Sequence, residues 1–503
     1  MQLSKQYIID KQAIPNSEAI FQLPEKVLQF GTGVLLRGLC DYFIDKANKQ
    51  NIFNGRVVVV KSTDSGGANS FDKQDGLYTH LIRGIEDGQT VDETIINASI
   101  SRVLSAKQQW NEILQCAANP QMQIIISNTT EVGITFSEDD VHAAPPQSFP
   151  GKLLAFLYER YKVFNGGAAG GMVIIPTELI VNNADRLKEI VIAQARANNL
   201  SEAFIEWVES ENYFCNSLVD RIVPGKLPVD DKMAAEHKLG YTDDLMIMSE
   251  VYCLWAIESA KEKVLQALSF SVVDKGVVLA HDITKFRELK LRLLNGAHTL
   301  SCGLAVLCGF ETVKEAMQNE TFFTYVRNLM LKEIAPALTN SELSYEEARD
   351  FAVKVLDRFC NPYMEHKWLN ITLQYTSKML MRNVPNILNH YSKNNAPPKL
   401  MALGFAAYLR FMRSEKNDQG QYTGSVNGKD YVINDDKAEL LYRHCRRKER
   451  KAFVYEVLQD EMLWNRDMTK LFGLVDEVAN HFETITLITA ENKNLLEYVA
   501  AHN

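Results

Sequence analysis

Val27-Leu-Gln-Phe-Gly31-Thr-Gly33-Val-Leu-Leu-Arg37-Gly38 is the stretch that decides the fold. A mostly apolar strand-like run meets two glycines one residue apart, and helical periodicity follows at once. A strand that breaks at glycine and resumes as a helix is the opening of a dinucleotide-binding βα unit. The first glycine makes the tight turn, and the second lets the backbone approach a pyrophosphate at the helix N-terminus. The third glycine of G-x-G-x-x-G is missing, with Leu36 in its place, so an ordinary βα turn remains the alternative reading.

Outward from this point, the runs Lys26–Phe30, Arg56–Lys61, Gln123–Ser127 and Met172–Pro176 are nearly all apolar. Strands covered by helices on both faces of a parallel sheet read that way. Helical stretches Val34–Lys49, Ser105–Ala118 and Gly151–Val163 lie between them. The alternation predicts an α/β class with a doubly wound sheet. Lys61-Ser-Thr-Asp64 follows the second strand. Asp64 is therefore the candidate for the ribose hydroxyls, while Lys61 leaves the choice between NAD and NADP open on charge. Gly166–Gly171 lacks the Lys-Ser/Thr that completes a P-loop and reads as a surface loop. Ser127-Asn-Thr-Thr-Glu131-Val-Gly133 and Pro176-Thr-Glu-Leu-Ile-Val-Asn-Asn183 follow carboxyl ends of strands, where open α/β sheets bind ligands. Each also fits an Asx-turn or helix cap.

From about residue 281 the pattern turns helical. Ser344-x-x-Glu347 is a capping box, Pro397-Pro398 precedes another helix, and Asn427-Gly428 marks a hairpin within the polar segment Glu415–Asp436. Arg443–Lys451 is a basic run that reads as a solvated helix face. In Lys290-Leu-Arg-Leu-Leu-Asn295-Gly-Ala-His298 the three polar groups fall on one side of an otherwise apolar α-helix at 100° per residue. That is either a wet stripe or a converging lysine, amide and imidazole.

Composition narrows the classes. The chain has 503 residues, 46% apolar and 23% charged, with net charge −9, which excludes a disordered chain and predicts no nucleic-acid partner. No apolar run approaches the ~18 residues of a membrane span, and the first residues do not form a signal peptide. Eight scattered cysteines without a C-x-x-C pair predict reduced thiols, no zinc site and a cytoplasmic protein.

Taken together, Q-F-G-x-G-x-x-x-R (from Gln29), D-G-L-Y-T (Asp75–Thr79), T-E-x-G (Thr130–Gly133), V-D-R-I-x-P (Val219–Pro224) and K-x-x-x-x-N-x-x-H (Lys290–His298) resemble the polyol-specific long-chain dehydrogenases, the mannitol dehydrogenase family. The resemblance implies a Rossmann-type NAD-binding domain over residues 1–280 and a mostly helical substrate domain over residues 281–503. It implies NAD as cofactor and metal-free, reversible reduction of a ketone. Cofactor contacts would come from Gly31, Thr32, Gly33, Val34, Leu35, Asp64, Asn128 and Thr129. Lys290 would be the general acid and base, Asn183 and Asn295 would hydrogen-bond the reacting oxygen, and His298 would orient substrate or Lys290. Asp220, Lys378, Asn370 and Arg382 would contact substrate. The chain departs from the polyol members in carrying Thr177-Glu178-Leu179 where they carry C-D-N, and Asn370 in a segment where they carry arginine. It is more similar there to the uronate-reducing branch, which implies a hexuronate or aldonate substrate whose carboxylate meets Lys378, with Arg382 and Lys367 as alternatives. A silent NAD-binding sensor is the reading from another class, and the intact Lys-Asn-His set opposes it.

Overall fold

The computed structural model describes residues 1–62, 68–445 and 449–503, so Asp64 lies outside the described residues. Two compact units emerge: Met1–Arg83 with Thr90–Ile283, and Gly84–Gln89 with Thr284–Asn503.

In the first unit the strands are β1 (Glu25–Phe30), β2 (Arg56–Lys61), β3 (Tyr78–Glu86), β4 (Gln89–Asn97), β5 (Ile100–Ser105), β6 (Ile124–Ser127), β7 (Val173–Pro176), β8 (Tyr213–Phe214), β9 (Ser217–Asp220), β10 (Ile247–Ser249), β11 (Leu254–Glu258) and β12 (Val277–Ala280). Six of them form one sheet in the order β5-β2-β1-β6-β7-β8, every pair parallel. This is the doubly wound order, and its direction reverses between β1 and β6. The all-apolar strands have the expected cause. Leu28, Phe30, Val58, Val60, Ile125 and Ile174 join one buried core, while Val27, Val57, Val59, Ile124, Ile126, Val173 and Ile175 join another. Alternate residues thus face opposite layers, both covered.

Two expectations need correcting, and one hairpin is additional to them. The helix Val34–Lys49 is two helices, Val34–Gly38 and Cys40–Lys49, broken at Leu39 (φ −128°, ψ −73°). The cause is competition for carbonyls: the Tyr78 hydroxyl donates to Arg37 O (2.8 Å) and Arg221 Nη1 donates to Gly38 O (2.7 Å). The stretch Ser105–Ala118 is helical only from Trp110 to Gln115, with a tighter turn over Cys116–Ala118, because Ile100–Ser105 pairs with β2 as a strand. The hairpin of β3 and β4 went unread, although Asp87-Gly88 (φ 51° and 74°) supplies the same turn chemistry as Asn427-Gly428 (φ 51° and 72°). The Gly166–Gly171 loop is a structural one, since buried Arg160 donates through Nε to Gly170 O (2.6 Å) and through Nη1 and Nη2 to Ala117, Asn119 and Met122 carbonyls.

The second unit is helical apart from a three-stranded sheet of β13 (Glu415–Lys416), β14 (Tyr422–Val426) and β15 (Lys429–Val432). Helix Tyr345–Phe359 opens on the expected capping box. Helix Asn295–Leu307 is buried along most of its length and packs against Lys399–Met412, where a Cβ at Gly404 would sit 2.8 Å from Leu300 O. Three segments widen into π-helical turns: Leu289–Leu294, Leu329–Ile334 and Met379–Asn383. Among the described residues no helix is long and apolar enough to cross a membrane.

Candidate active site

The first unit builds a turn at the carboxyl ends of β1 and β6. Gly31 takes φ +131°, and a Cβ there would lie 3.1 Å from Leu36 Cδ1 and 3.2 Å from Asn128 O. That conformation is strained for any L side chain. Gly33 opens the short helix, and none of the described residues comes within 4 Å of where its Cβ would be. The backbone at Gly31 therefore meets Asn128 at the point where the strand order reverses. The Asn128 amide donates to Thr177 O (3.3 Å) and Thr177 Oγ1 (2.9 Å). Thr129 donates through its backbone N (2.8 Å) and its Oγ1 (3.2 Å) to Glu178 Oε1, while Ser127 Oγ donates to Glu178 Oε2 (3.2 Å). Burial pushes the Glu178 carboxyl above the usual carboxylate range against these hydrogen bonds. Glu178 thus clasps the ends of β6 and β7, a role that the departure from C-D-N signalled without identifying.

Several motif residues prove to be scaffolding. Arg37 is buried, donates through Nη1 to Leu245 O (2.6 Å) and lies over the rings of Phe71 and Tyr78. Arg221 donates through Nε to Glu250 O (3.0 Å) as well as to Gly38 O. Asp220, buried at the end of β9, is paired through its backbone position with Leu254. Asn183 is fully buried, and its Nδ2 lies 3.0 Å from the carbonyls of Pro176, Glu178 and Ser217 while its Oδ1 accepts from Ser217 N (3.0 Å). An amide has two protons, and three protein carbonyls already compete for them. The expectation that Asn183 donates to a substrate oxygen is corrected accordingly: it ties β7 to β9.

The second unit holds the other group. Lys290 lies in the wide turn Leu289–Leu294, which ends where helix Asn295–Leu307 begins. A π-turn holds one more residue than an α-turn, so the α-helical angle expected between Lys290 and His298 does not apply, whereas Asn295 and His298 keep the i, i+3 relation. Among the described residues the Asn295 side chain makes no hydrogen bond, in contrast to Asn183. His298 stacks on Phe359 (centroids 3.8 Å apart, planes at 2°) with His366 and Trp368 edge-on at 5.6 and 5.9 Å. Its Nε2 is buried without a hydrogen-bond partner. Burial first, then the charges of His366, Arg358, Arg382 and Lys378, hold His298 well below the usual imidazole range, so the ring is neutral.

Two cations stand beside it. Arg382, in the wide turn Met379–Asn383, donates through Nη1 to Thr299 Oγ1 (3.0 Å), which donates to Asn295 O (2.7 Å). Its Nε is buried without a partner among the described residues. Lys378 immediately precedes that turn and donates to Ile371 O (2.9 Å). Burial lowers both pKa values, and Arg382 lowers that of Lys378 further. Neither cation has an ion pair among the described residues. The two wide turns are held together: Arg292 Nη1 donates to Met381 O, and Asn386 Nδ2 donates to Arg292 O (3.3 Å). Gly296 permits this approach, since its Cβ would lie 2.9 Å from Asn386 Nδ2. Asn370, by contrast, is exposed on the short helix Trp368–Ile371, and Lys367 pairs with Glu311 at the surface (2.8 Å). Sequence reasoning does not reach Arg358, Phe359 or the ring of His366, which are brought to His298 by packing alone. No group of three or more His, Cys, Asp or Glu able to hold a metal ion occurs among the described residues.

Comparison with known proteins agrees with this two-part arrangement. Residues 25–267 match the mannitol dehydrogenase Rossmann domain and residues 282–486 the mannitol dehydrogenase C-terminal domain. The chain is 38% identical to an altronate oxidoreductase of Halalkalibacterium halodurans over 92% of its own length and 91% of the relative's. It is 37% identical to an altronate oxidoreductase of Bacillus subtilis, covering 92% and 93%. Among solved structures, D-sorbitol dehydrogenase in substrate-free form superposes with a TM-score of 0.75 at 20% identity, and Pseudomonas fluorescens mannitol 2-dehydrogenase in ternary complex with NAD and D-mannitol with 0.67 at 19%; each comparison covers both chains in full. With its fold, its matched domains and its relatives in agreement, the chain belongs to the mannitol dehydrogenase family.

Proposed function

We propose that this chain is an NAD-dependent oxidoreductase interconverting D-tagaturonate and D-altronate in hexuronate catabolism. The observation that carries the substrate class is the pair Lys378 and Arg382. These are two partly desolvated cations that form no ion pair among the described residues, with Asp435 acting on Lys378 only from beyond contact, beside the helix that bears Asn295 and His298. A carboxylate on the substrate supplies the missing counter-charge. Relatives named altronate oxidoreductase support the same reading.

The residues present fit a dinucleotide. The strained Gly31 brings the backbone close to Asn128, and the open space at Gly33 leaves room for a pyrophosphate beside the helix N-terminus. Gly31, Thr32, Gly33, Val34 and Leu35 would hold NAD with Asn128 and Thr129; when bound, NADH supplies the hydride that reduces the ketone. Lys290 Nζ gives a proton to the ketone oxygen in reduction and recovers it in oxidation. Asn295 donates a hydrogen bond to that oxygen as its negative charge develops. His298, kept neutral, orients substrate or Lys290.

An NADH-oxidation panel with tagaturonate, fructuronate and fructose tests the proposal. The highest kcat/KM is expected on tagaturonate, with Lys290→Ala retaining less than about a tenth of kcat. Comparable kcat/KM on fructose would sink the uronate assignment. A tenfold preference for NADPH would reverse the choice of cofactor.

A further inference from the structure

The Q-F-G motif contains a buried polar residue that the turn itself does not explain. Gln29, fully buried on β1, donates both protons of Nε2, one to Gly31 O and one to Asp41 Oδ2, each at 3.3 Å. Among the described residues its Oε1 is buried with no donor, and so is Oδ1 of Asp41. Two acceptors are therefore orphaned on two side chains that already share a hydrogen bond. Leaving both unsatisfied in the interior is costly, and one additional proton removes both deficits.

We propose that Asp41 takes up a proton on Oδ1 in the folded protein and gives it as a hydrogen bond to Gln29 Oε1, closing an acid–amide pair that positions the Gly31 turn. Gln29 Nε2 donates to Asp41 Oδ2 on one side of the pair, and Asp41 Oδ1–H donates to Gln29 Oε1 on the other. The second Nε2 proton is then directed at Gly31 O. The groups facing Asp41 permit this state. Arg37 from the preceding helix favours the carboxylate, whereas Asp45 one turn on, itself bound to Lys49 (2.6 Å), opposes it. Cys40 and Tyr78 are buried beside it with their own ionisation suppressed. Burial is the largest influence and pushes the Asp41 carboxyl up to about 7. After the break at Leu39, Asp41 stands in the first turn of the helix Cys40–Lys49.

The inference makes Asp41 and Gln29 positioning residues and rests on the reading that this turn holds NAD. The folded-state pKa lies above the ordinary carboxylate value. The protonated pair is therefore complete in acid and is lost as pH rises through about 7. NADH affinity, followed by fluorescence titration, is expected to weaken roughly two- to tenfold between about pH 6 and 8.5, the worth of one hydrogen bond. Asp41→Asn places an N–H where the acid proton stood, so it should keep the low-pH affinity across that range. Without cofactor, the infrared absorption of protonated carboxyls titrating near 7 should come from Asp41 and Glu333: it should persist in Glu333→Gln with a midpoint near 7, and vanish only when Asp41→Asn is added to Glu333→Gln. A band absent from Glu333→Gln, or an Asp41→Asn protein with the wild-type pH dependence, overturns the proposal. If the band behaves as expected but NADH does not bind at any pH, the pair stands and the cofactor reading falls.

Discussion

An amide nitrogen has two protons to give, and at Asn183 three carbonyl oxygens at 3.0 Å already compete for them. Asn295 spends none of its side-chain capacity on the described protein. The two asparagines should therefore fail in opposite ways. Asn295→Ala is expected to lower kcat on the order of 100- to 1,000-fold, the usual cost of a lost oxyanion donor, with little change in urea midpoint. Asn183→Ala leaves buried backbone groups unpaired and should destabilise the first unit by roughly 2–4 kcal/mol, while the folded fraction keeps most of its kcat. Equal loss of kcat in both folded variants would restore a substrate role to Asn183. The same scale decides the carboxylate clamp. A charge-assisted hydrogen bond is worth roughly 1.5–3 kcal/mol, or about 10- to 150-fold in affinity. Substrate and transition state carry the same carboxylate, so Lys378→Met should raise KM for the uronate far more than it lowers kcat. Arg382 also holds Thr299, so Arg382→Met is expected to lower kcat as well. If Arg382→Met raises KM more than Lys378→Met does, the principal cation has been misassigned.

Elements in the second unit are joined by side chains from distant turns. Helix Lys399–Met412 follows Pro398 and has no side-chain cap of its own. Its first free N–H groups, at Leu400 and Met401, donate to Glu333 Oε1 and Oε2 at 2.8 Å each, from the wide turn Leu329–Ile334. Burial outweighs those bonds and pushes the Glu333 carboxyl up to about 7. A raised carboxyl pKa means that folding favours the protonated form. This contribution to stability is complete below the ordinary glutamate range and lost as pH rises through about 7. Unfolding free energy should accordingly fall between about pH 5 and 8, at about 1.4 kcal/mol for each unit of displacement, and Glu333→Gln should flatten that slope. Denaturant titrations at several pH values check it; parallel slopes for the two proteins would refute it. The wide turn at Leu289–Leu294 is the matching case for catalysis, because it sets where Lys290 stands relative to Asn295.

For the molecule as a whole, net charge is −9, and yet the proposed substrate is an anion. Local placement resolves this. Exposed charges are largely screened beyond a Debye length of about 8 Å at physiological salt, while Lys378 and Arg382 act at hydrogen-bond range from partly desolvated positions. All eight cysteines are free, so stability rests on the two cores of the doubly wound sheet and on the helical packing of the second unit.

Periodicity and turn chemistry along the chain sufficed for the parallel sheet, the glycine turn, the capping box at Ser344 and the hairpin at Asn427-Gly428, because each is set by neighbours within a few residues. The apolar runs of β1, β2, β6 and β7 also reported two-sided burial before any coordinates. Local pattern could not show that Tyr78 and Arg221 break a helix by taking its carbonyls, since they lie 41 and 183 residues from those carbonyls, nor that the amide of Asn183 is shared out among Pro176, Glu178 and Ser217, the last of them 34 residues on. The π-turn at Lys290 and the meeting of Lys378, Arg382 and His298 were equally hidden. An amide or a cation has the same letter whether its hydrogen bonds are spent or spare, and only tertiary packing decides which.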